Sequence, residues 1–461
     1  MTTVRDRQSP GAATAGRALA PLPSDLPRVE RRSAMPGGFV AAGGVAGIKA
    51  SGRPDLALIA RDGKESLAAA AIFTPNRFAA APIRKSRLNL IATEPAGKGG
   101  FGYADAVVCT SGSANAATGA AGDEDQAEVG RIVSAATGAA EDRVLHLSTG
   151  LIGTRLPLDL VRSGVEGLAP TLASTDDGLL AAAEALRTTD SVVKVATATV
   201  DLPGGTVRVT GIAKGVGMIA PQMATMLSVV VTDAGAPPRL LWEVLRAASA
   251  RTWNQLSVDG DTSTNDTVFL LASAASGVVV DEQSRAAFAG AVEAVARDLA
   301  RQQAADGEGA TALITCQVSG AVDDAEARAV ARIVIQSSLL KAAIHGRDPN
   351  WGRIAGAAGN ATLARAAVLE AAGLPAAEAR ERGGSAAQLD PDLLRIAIAG
   401  HLVYDGQAGG PIEFDREAAR RDMAGKEVLL RLDLGLGTGT GEAFGCDLTE
   451  AYVIENSEYT T

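Results

Sequence analysis

Along this chain, short apolar runs separated by glycines and turn residues alternate with longer amphipathic stretches. Residues 56–60 form the clearest early strand, because the run is wholly apolar and ends at a charged pair. Strands are predicted within 40–71 and at 106–109, 192–200, 206–212, 226–231, 311–318, 429–434 and 451–454, and helices at 123–136, 177–186, 238–252, 282–305 and 323–345. Strands and helices mixed without strict alternation favour a layered α+β fold over a doubly wound sheet.

One segment, 214–227, reads KGVGMIAPQMATML. It places a hydroxyl residue, Thr225, between a glycine-rich approach and the predicted buried strand. If the Ala224–Thr225 bond is cut, Thr225 gains a free α-amino group, with a pKa of roughly 7.7–8.0, beside its own hydroxyl. One residue then supplies both nucleophile and base. The alternative is a loop-to-strand connection whose threonine only forms local hydrogen bonds.

The length of 461 residues exceeds what one simple core usually holds, so two subdomains or two cleaved pieces are expected. Aromatic residues make up only 3% of the chain, and the core must therefore be built from small and aliphatic side chains. The net charge of −10 argues against a nucleic-acid or anionic-membrane partner. Neither the cysteines nor the histidines have the spacing of a disulfide framework or a metal site, so no metal is expected. These residues are Cys109, Cys316, Cys446, His146, His345 and His401.

The first 30 residues contain several charges and prolines but no apolar core of the length that a secretory signal needs. A disordered leader is expected at residues 1–30, with an organelle-transit segment as the alternative. The longest uncharged run, 215–232, is long enough to cross a membrane, yet Pro221, Gln222 and Ser228 do not suit a hydrocarbon core. A membrane span is therefore rejected, and a cytoplasmic protein is expected.

Further blocks of distinctive sequence lie on both sides of segment 214–227. They are FTPNR (73–77), SGSANA (111–116), STGLIG (148–153), TTD (188–190), VDGDTSTNDT (258–267), DGEGAT (306–311), DPNWGR (348–353), GCDLT (445–449) and NSEYTT (456–461). In this order, and together with the segment, they resemble the ornithine acetyltransferase (glutamate N-acetyltransferase) family of arginine biosynthesis. The resemblance runs from about Pro36 to the last residue.

This resemblance implies an α+β, layered fold of the N-terminal-nucleophile type that cleaves itself into two chains. An α chain of residues 31–224 and a β chain of residues 225–461 would form one catalytic unit, assembled as a heterotetramer of two α and two β chains. Thr225 would take acetyl from N2-acetyl-L-ornithine and pass it to L-glutamate through an acetyl-threonine, in the cyclic arginine pathway. No cofactor is implied, because the acetyl group is held on the enzyme. The sequence leaves open whether acetyl-CoA is an additional donor.

The resemblance also implies roles for individual residues. The oxyanion donors would be Thr149 and Gly150, although the sequence around them also suits an ordinary turn. The substrate-binding positions would be Thr188, Lys214, Thr225, Glu308, Asn456 and Thr461. Lys214 suits an amino-acid carboxylate and Glu308 suits a substrate ammonium, whereas outside these blocks either charge would be interpreted as a solvated surface group.

Three positions depart from the family pattern. Ala312 replaces the lysine that commonly follows the DGEGAT block, and Thr110 and Ser113 replace asparagines. These changes put the acceptor in doubt more than the reaction type. The main rival hypothesis is an N-terminal-nucleophile aminopeptidase or amidase, in which water resolves the acyl-enzyme. A third possibility is an uncleaved binding protein of the same fold.

Overall fold

The computed structural model describes residues 19–220 and 226–458. The strands are β1 Val29–Glu30, β2 Phe39–Gly44, β3 Leu56–Arg61, β4 Leu67–Phe73, β5 Phe101–Ala104, β6 Ala106–Ser113, β7 Val144–Leu151, β8 Lys194–Leu202, β9 Gly205–Lys214, β10 Leu227–Thr232, β11 Leu256–Ser257, β12 Thr267–Ala272, β13 Leu313–Ala321, β14 Arg395–Ile398, β15 His401–Asp405, β16 Gly410–Pro411, β17 Glu427–Asp433 and β18 Gly439–Cys446. The helices are α1 Ala81–Thr93, α2 Gly119–Thr137, α3 Leu158–Leu168, α4 Asp176–Leu186, α5 Pro238–Arg251, α6 Arg285–Ala305, α7 Asp324–Gln336, α8 Ser338–His345, α9 Trp351–Ala358, α10 Ala366–Ala371, α11 Ala376–Arg382, α12 Arg416–Asp422 and α13 Glu450–Glu458.

The described strands form three sheets. The first sheet has the order β1-β8-β9-β10-β12-β4-β5, the second has the order β11-β18-β13-β17-β14-β15-β16, and the third has the order β2-β3-β6-β7. Each sheet is mixed: in the first, β10 runs antiparallel to β9 but parallel to β12, and in the third β6 runs parallel to β7. In the first sheet every strand pair except β10–β12 is antiparallel, which is typical of an α+β fold rather than a doubly wound one.

Strand β10 packs against two hydrophobic cores, one on each face of the first sheet. Leu227, Val229 and Val231 point to one face of the first sheet, and Val230 points to the other. All four are at most 1% exposed. Because successive side chains in a strand alternate between faces, a strand that is buried on both sides is apolar throughout. The strand predicted at 226–231 is therefore confirmed.

The cores stack in layers. One face of the first sheet is covered by α5 and α6, and its other face shares a core with the third sheet, α1 and α4. Helices α2 and α3 cover the outer face of the third sheet, and α7, α8 and α9 pack on the second sheet. The prediction of a layered α+β fold is confirmed.

Residues 323–345 form two helices instead of the single helix predicted. The backbone leaves the helical conformation at Ser337, whose φ is −66° and ψ is 109°. The side chain of Ser337 accepts a hydrogen bond from the N–H of Leu340 at 3.3 Å and so starts α8. Within the block at 348–353, helix α9 begins at Trp351 and is capped by the side chain of Asn350.

The strand predicted at 451–454 is wrong, because this segment lies in α13. The hydroxyl of Thr449 accepts a hydrogen bond from the N–H of Tyr452 at 3.2 Å, which is the contact of a helix N-cap. Val453 and Ile454, whose β-branched side chains favour strands, are 61% and 60% exposed. The local strand propensity is therefore overridden by the cap, and no sheet partner buries these two side chains.

Part of the predicted leader is packed on the fold. Leu19 is buried against Ala397 and Leu402, and β1 pairs antiparallel with β8. The prediction of disorder is therefore wrong for residues 19–30, because apolar side chains in this stretch contact partners far along the chain. Residues 1–18 lie outside the described residues.

Because of the buried His146 on β7, we expect the stability of the fold to decrease in acid. The side chain is fully buried, and its Nδ1 lies 2.8 Å from the Nε2 of Gln126. Burial, with a smaller effect of Lys85, lowers the pKa of the imidazole to about 3. Between that value and the usual pKa near 6.5, only the unfolded chain binds the proton. We therefore expect His146 to lower the free energy of unfolding by roughly 1.4 kcal/mol per pH unit on acidification through this window.

Urea unfolding at a series of pH values checks this expectation. Replacing His146 with Gln should flatten the pH dependence of the free energy of unfolding. His401→Gln is the matched control, because that imidazole lies nearer the surface and pairs with Asp422 at 2.7 Å. An unchanged slope in His146→Gln would show that another group carries the acid sensitivity.

Candidate active site

A cavity of ≈ 150 Å³ lies where β7 and β9 end, beside the DGEGAT block and α13. Six residues that the sequence analysis singled out line this cavity: Thr149, Gly150, Thr188, Lys214, Glu308 and Asn456. They come from positions more than 300 residues apart in the chain, so the fold alone brings them together. The other three, Ala224, Thr225 and Thr461, lie outside the described residues.

Thr149 and Gly150 lie inside strand β7 and not in a turn. Gly150 pairs with Gly112 of β6 and has a φ of +127°, and a Cβ on it would come within 2.3 Å of the Gly112 carbonyl carbon. Only glycine fits there. The amide of Asn265 donates to the backbone oxygen of Ser148 at 2.8 Å and so fixes the end of the strand from the opposite side. The backbone around both residues is thus held rigidly.

Lys214 is the last residue of β9. Its Nζ donates to the hydroxyl of Thr188 at 3.3 Å across the cavity wall. The carboxylate of Asp190 holds both neighbouring segments, because it accepts from the N–H of Thr188 at 3.1 Å and from the N–H of Gly215 at 2.7 Å. The ammonium and the hydroxyl are therefore positioned by one buried acid.

Asp190 belongs to a buried cluster of charges that the sequence analysis missed. Its Oδ1 lies 2.6 Å from Lys194 Nζ, and the same Nζ lies 2.5 Å from Oδ2 of Asp306. Burial raises the pKa of Asp190, but Lys194, Lys214 and the hydrogen bonds outweigh it and lower that pKa to about 2. Asp190 therefore stays ionised. The TTD block, which contains Asp190, was the available signal, whereas Lys194 lies in an otherwise ordinary strand.

Glu308 forms the opposite wall. Its two carboxylate oxygens accept from the hydroxyl of Thr189 at 2.9 Å and from the amide of Asn456 at 3.0 Å. Its N–H donates to the oxygen of Val216 at 2.9 Å. A Cβ on Gly217 would come within 2.2 Å of the Glu308 carboxylate, so a larger residue here would displace that carboxylate from its position. Asn456 reaches Glu308 only because its segment is a helix.

The backbone that follows Glu308 is anchored by Asp447, another residue that the sequence analysis did not single out. Asp447 accepts from the N–H of Thr311 at 2.8 Å, from the N–H of Ala312 at 2.9 Å and from Nδ1 of His345 at 3.0 Å. Ala312, which replaces the lysine of the family pattern, is 8% exposed and lies outside the cavity lining. Ala312 contributes to this contact only through its backbone N–H, which donates to Asp447.

The two other departures form hydrogen bonds behind the cavity. The hydroxyl of Thr110 lies 2.9 Å from that of Ser148. The hydroxyl of Ser113 donates to the backbone oxygen of Thr154 at 2.8 Å. Both contacts lie beside Thr149, one between β6 and β7 and one between β6 and the segment after β7, and neither side chain lines the cavity.

A smaller cavity of ≈ 30 Å³ adjoins the first. Its lining includes Met226, the residue that follows Thr225, together with Thr149, Lys214 and Asp266. Asp266 is 3% exposed, and no described residue donates a hydrogen bond to its Oδ2. Burial raises the pKa of this carboxyl well above its usual range, against weaker opposing effects of Ser263 and Lys214.

Two further structural findings bear on the kind of site. Within 19–220 and 226–458, no group of three or more His, Cys, Asp or Glu side chains is placed to hold a metal ion. Over the same residues, no helix is long and apolar enough to cross a bilayer.

The three cysteines are buried, unpaired thiols, and burial raises the pKa of Cys109 to about 12 and that of Cys446 to about 11.

Comparison with known proteins relates this geometry to a family. The ArgJ family model matches residues 40–461. The arginine biosynthesis bifunctional protein ArgJ of Synechococcus sp. is 43% identical over 444 residues, which cover 92% of this chain and 96% of that protein. The ArgJ protein of Thermus thermophilus is 42% identical over 429 residues, covering 93% and 99%. A crystal structure of ornithine acetyltransferase complexed with ornithine, from Mycobacterium tuberculosis, is 38% identical over 43% of this chain and 99% of that chain, with a TM-score of 0.38.

The layered α+β fold and the polar cavity at the strand ends, taken with the relatives that are 42% and 43% identical, define an acyltransferase. The chain belongs to the ArgJ family, and it is an acyltransferase of arginine biosynthesis. Family membership favours acyl transfer between small molecules over the aminopeptidase or amidase hypothesis.

Proposed function

We propose that the protein transfers the acetyl group of N2-acetyl-L-ornithine to L-glutamate, with Thr225 as the covalent carrier. The observation that carries the proposal is the pairing of one cation, Lys214, with one carboxylate, Glu308, across a single cavity. Both amino acids present a carboxylate and an ammonium, and these two side chains have the complementary charges. Thr188, Asn456 and Thr461 complete the proposed substrate-binding set.

In the first step, Thr225 Oγ attacks the acetyl carbonyl and its proton passes to the Thr225 α-amine. The C–N bond of the acetamide breaks, ornithine leaves as the amine with that proton, and an acetyl ester remains on Oγ. In the second step, the glutamate amine attacks the ester carbonyl, the C–O bond breaks, and Oγ regains a proton. The hydroxyl of Thr149 and the N–H of Gly150 would stabilise the oxyanion of both steps.

Maturation would use the same nucleophile. Thr225 Oγ attacks the Ala224 carbonyl, the amide becomes an ester, and water hydrolyses that ester to separate residues 31–224, with any leader, from residues 225–461. This assignment is supported by Met226, which is bonded to Thr225 and lines the small cavity beside Thr149 and Lys214. Intact-mass measurement tests it, since two chains are expected, and a single uncleaved species in active preparations would contradict it.

A mass and rate experiment separates this proposal from its rivals. Acetyl-ornithine supplied without glutamate should add one acetyl group to the 225–461 chain, and initial-rate lines with both substrates should be parallel. Loss of acetyl-ornithine should depend on glutamate, whereas an amidase would consume it in water alone. Intersecting lines without an acetylated chain would refute the covalent route.

Lys214→Ala should lower kcat/KM for both amino acids by about 10- to 100-fold, because each presents a carboxylate to the same charged group. Steady-state rates measured with each substrate varied in turn check this result. Lys64→Ala is the matched control, because Lys64 is exposed on a turn away from the cavity. A loss confined to one substrate would show that the two amino acids bind through different groups.

The proposal extends to assembly and location. We assign a heterotetramer of two α and two β chains and a cytoplasmic enzyme, in keeping with the family resemblance and with the three unpaired thiols. No cofactor is assigned, because the acetyl group is carried on the protein. Light scattering coupled to gel filtration would test the assembly directly, and a mass of one α and one β chain would contradict it.

A further inference from the structure

A third cavity, of ≈ 140 Å³, lies away from the active site, where α7 meets the end of α5 and the segment that leads into α10. Its polar lining is basic or neutral, and no Asp or Glu of the described chain takes part in it. The polar side chains are Arg328, Arg332, Arg365, Gln255, Gln336 and Thr362, and the apolar wall includes Ile333, Val368 and Leu369.

Two arginines one turn apart on α7 form the floor of this cavity. Arg328 is 8% exposed, and its closest carboxylate contact is Asp324, 3.9 Å from Nη1 and itself 61% exposed. The Nε of Arg332 is fully enclosed, and no described residue accepts a hydrogen bond from it. Like charges at this spacing repel each other, and a partly buried cation without a counter-charge is unfavourable.

The groups around Arg332 leave its positive charge uncompensated. Burial, and then the neighbouring charge of Arg365, lower the pKa of Arg332 to about 10. The side chain of Gln255 is 5% exposed, its Nε2 donates to the oxygen of Ala250 at 3.4 Å, and its Oε1 has no donor among the described residues. The cavity therefore offers the buried side chain of Arg328, the partly buried guanidinium of Arg332 and one enclosed amide acceptor.

We propose that this cavity is a binding site for a small oxyanion, a carboxylate or a phosphate, held by the guanidinium groups of Arg328 and Arg332. Planar guanidinium forks match the paired oxygens of both groups and form charge-assisted hydrogen bonds with them. A cavity of ≈ 140 Å³ has room for such a small anion. A carboxylate that also carries an N–H group would satisfy Gln255 Oε1. The site is independent of the acetyl-transfer proposal.

The test measures the thermal unfolding midpoint of the full-length protein, with sodium phosphate or sodium acetate titrated against sodium chloride at constant ionic strength. The unfolding midpoint of the wild-type protein should rise saturably with at least one of the two anions. The anion that raises it shows whether the site binds a phosphate or a carboxylate. Calorimetric titration of the same anion should show binding that is weakened about tenfold or more in Arg332→Gln. In chloride alone, Arg332→Gln should be no less stable than wild type, because a partly buried charge without a counter-charge is gone.

Arg239→Gln is the matched control, since this arginine on α5 is 78% exposed in its side chain. It should keep the full response. Arg332→Lys, which retains the charge but loses the fork, provides a second variant should Arg332→Gln fail to fold, and it should bind the anion more weakly than wild type. No saturable rise in wild type, or equal rises in wild type and both Arg332 variants, would overturn the proposal.

Discussion

Thr225→Ala should yield one uncleaved chain of 461 residues that transfers no acetyl group. Alanine has no Oγ, and the same oxygen is proposed to attack the Ala224 carbonyl and then the acetyl donor. Without the cut, the α-amine that serves as base is also tied up in a peptide bond. Removing a covalent nucleophile costs at least about 10⁴-fold in rate. Intact mass and the glutamate-dependent loss of acetyl-ornithine measure the two effects separately.

Thr225→Ser is the control for this experiment, because serine keeps the hydroxyl and lacks only the methyl group. It should retain part of both the cleavage and the transfer. Full transfer by Thr225→Ala would remove this residue from the mechanism. Cleavage that persists in Thr225→Ala while transfer is lost would assign the two reactions to different nucleophiles.

Thr149→Ala should lower kcat by about 10²–10³-fold with little change in KM, because the hydroxyl is proposed to stabilise charge that appears only in the transition state. Self-cleavage should slow as well, since its intermediate carries the same oxyanion. Single-turnover formation of the acetylated chain is the direct measurement. The rigid position of Gly150 on the paired strand should keep the second donor in place in this variant.

Thr154→Ala is a suitable comparison, because this nearby hydroxyl donates to the oxygen of Leu151 at 3.0 Å and lies outside the cavity lining. It should leave kcat within a few-fold of wild type. A Thr149→Ala variant with a raised KM and an unchanged kcat would make Thr149 a substrate contact and not an oxyanion donor.

The strands at the centre of the fold were predictable because burial alone decides them. The apolar run that forms β10 has no other stable place than between two cores, so its pattern predicts the structure directly. The segment of α13 behaves differently, since its conformation depends on the Thr449 cap and on contacts with residues around Glu308. Glu308 lies 148 residues before its partner Asn456, so no local window contains that contact.

The residues of the candidate site also divide into those that the local sequence identifies and those that only tertiary contacts reveal. Lys214 and Glu308 were identified because each lies in a distinctive block, and the fold places them in one cavity. Lys194 was not identified, because Asp306, which completes its buried cluster with the nearby Asp190, lies 112 residues further along the chain. Residues that bind substrates tend to lie in recognisable blocks, whereas residues that hold those blocks in place are revealed only by tertiary contacts.

Strand β10 pairs with β9 from Leu227–Lys214 to Thr232–Val209, and on its other side it pairs with β12 along its whole length. A cut before Thr225 would therefore leave neighbouring strands of one sheet on different polypeptides. To part them, the molecule would have to break a ladder of backbone hydrogen bonds and expose both faces of β10 to water. The nicked enzyme would therefore survive dilution with its two chains still joined through this sheet.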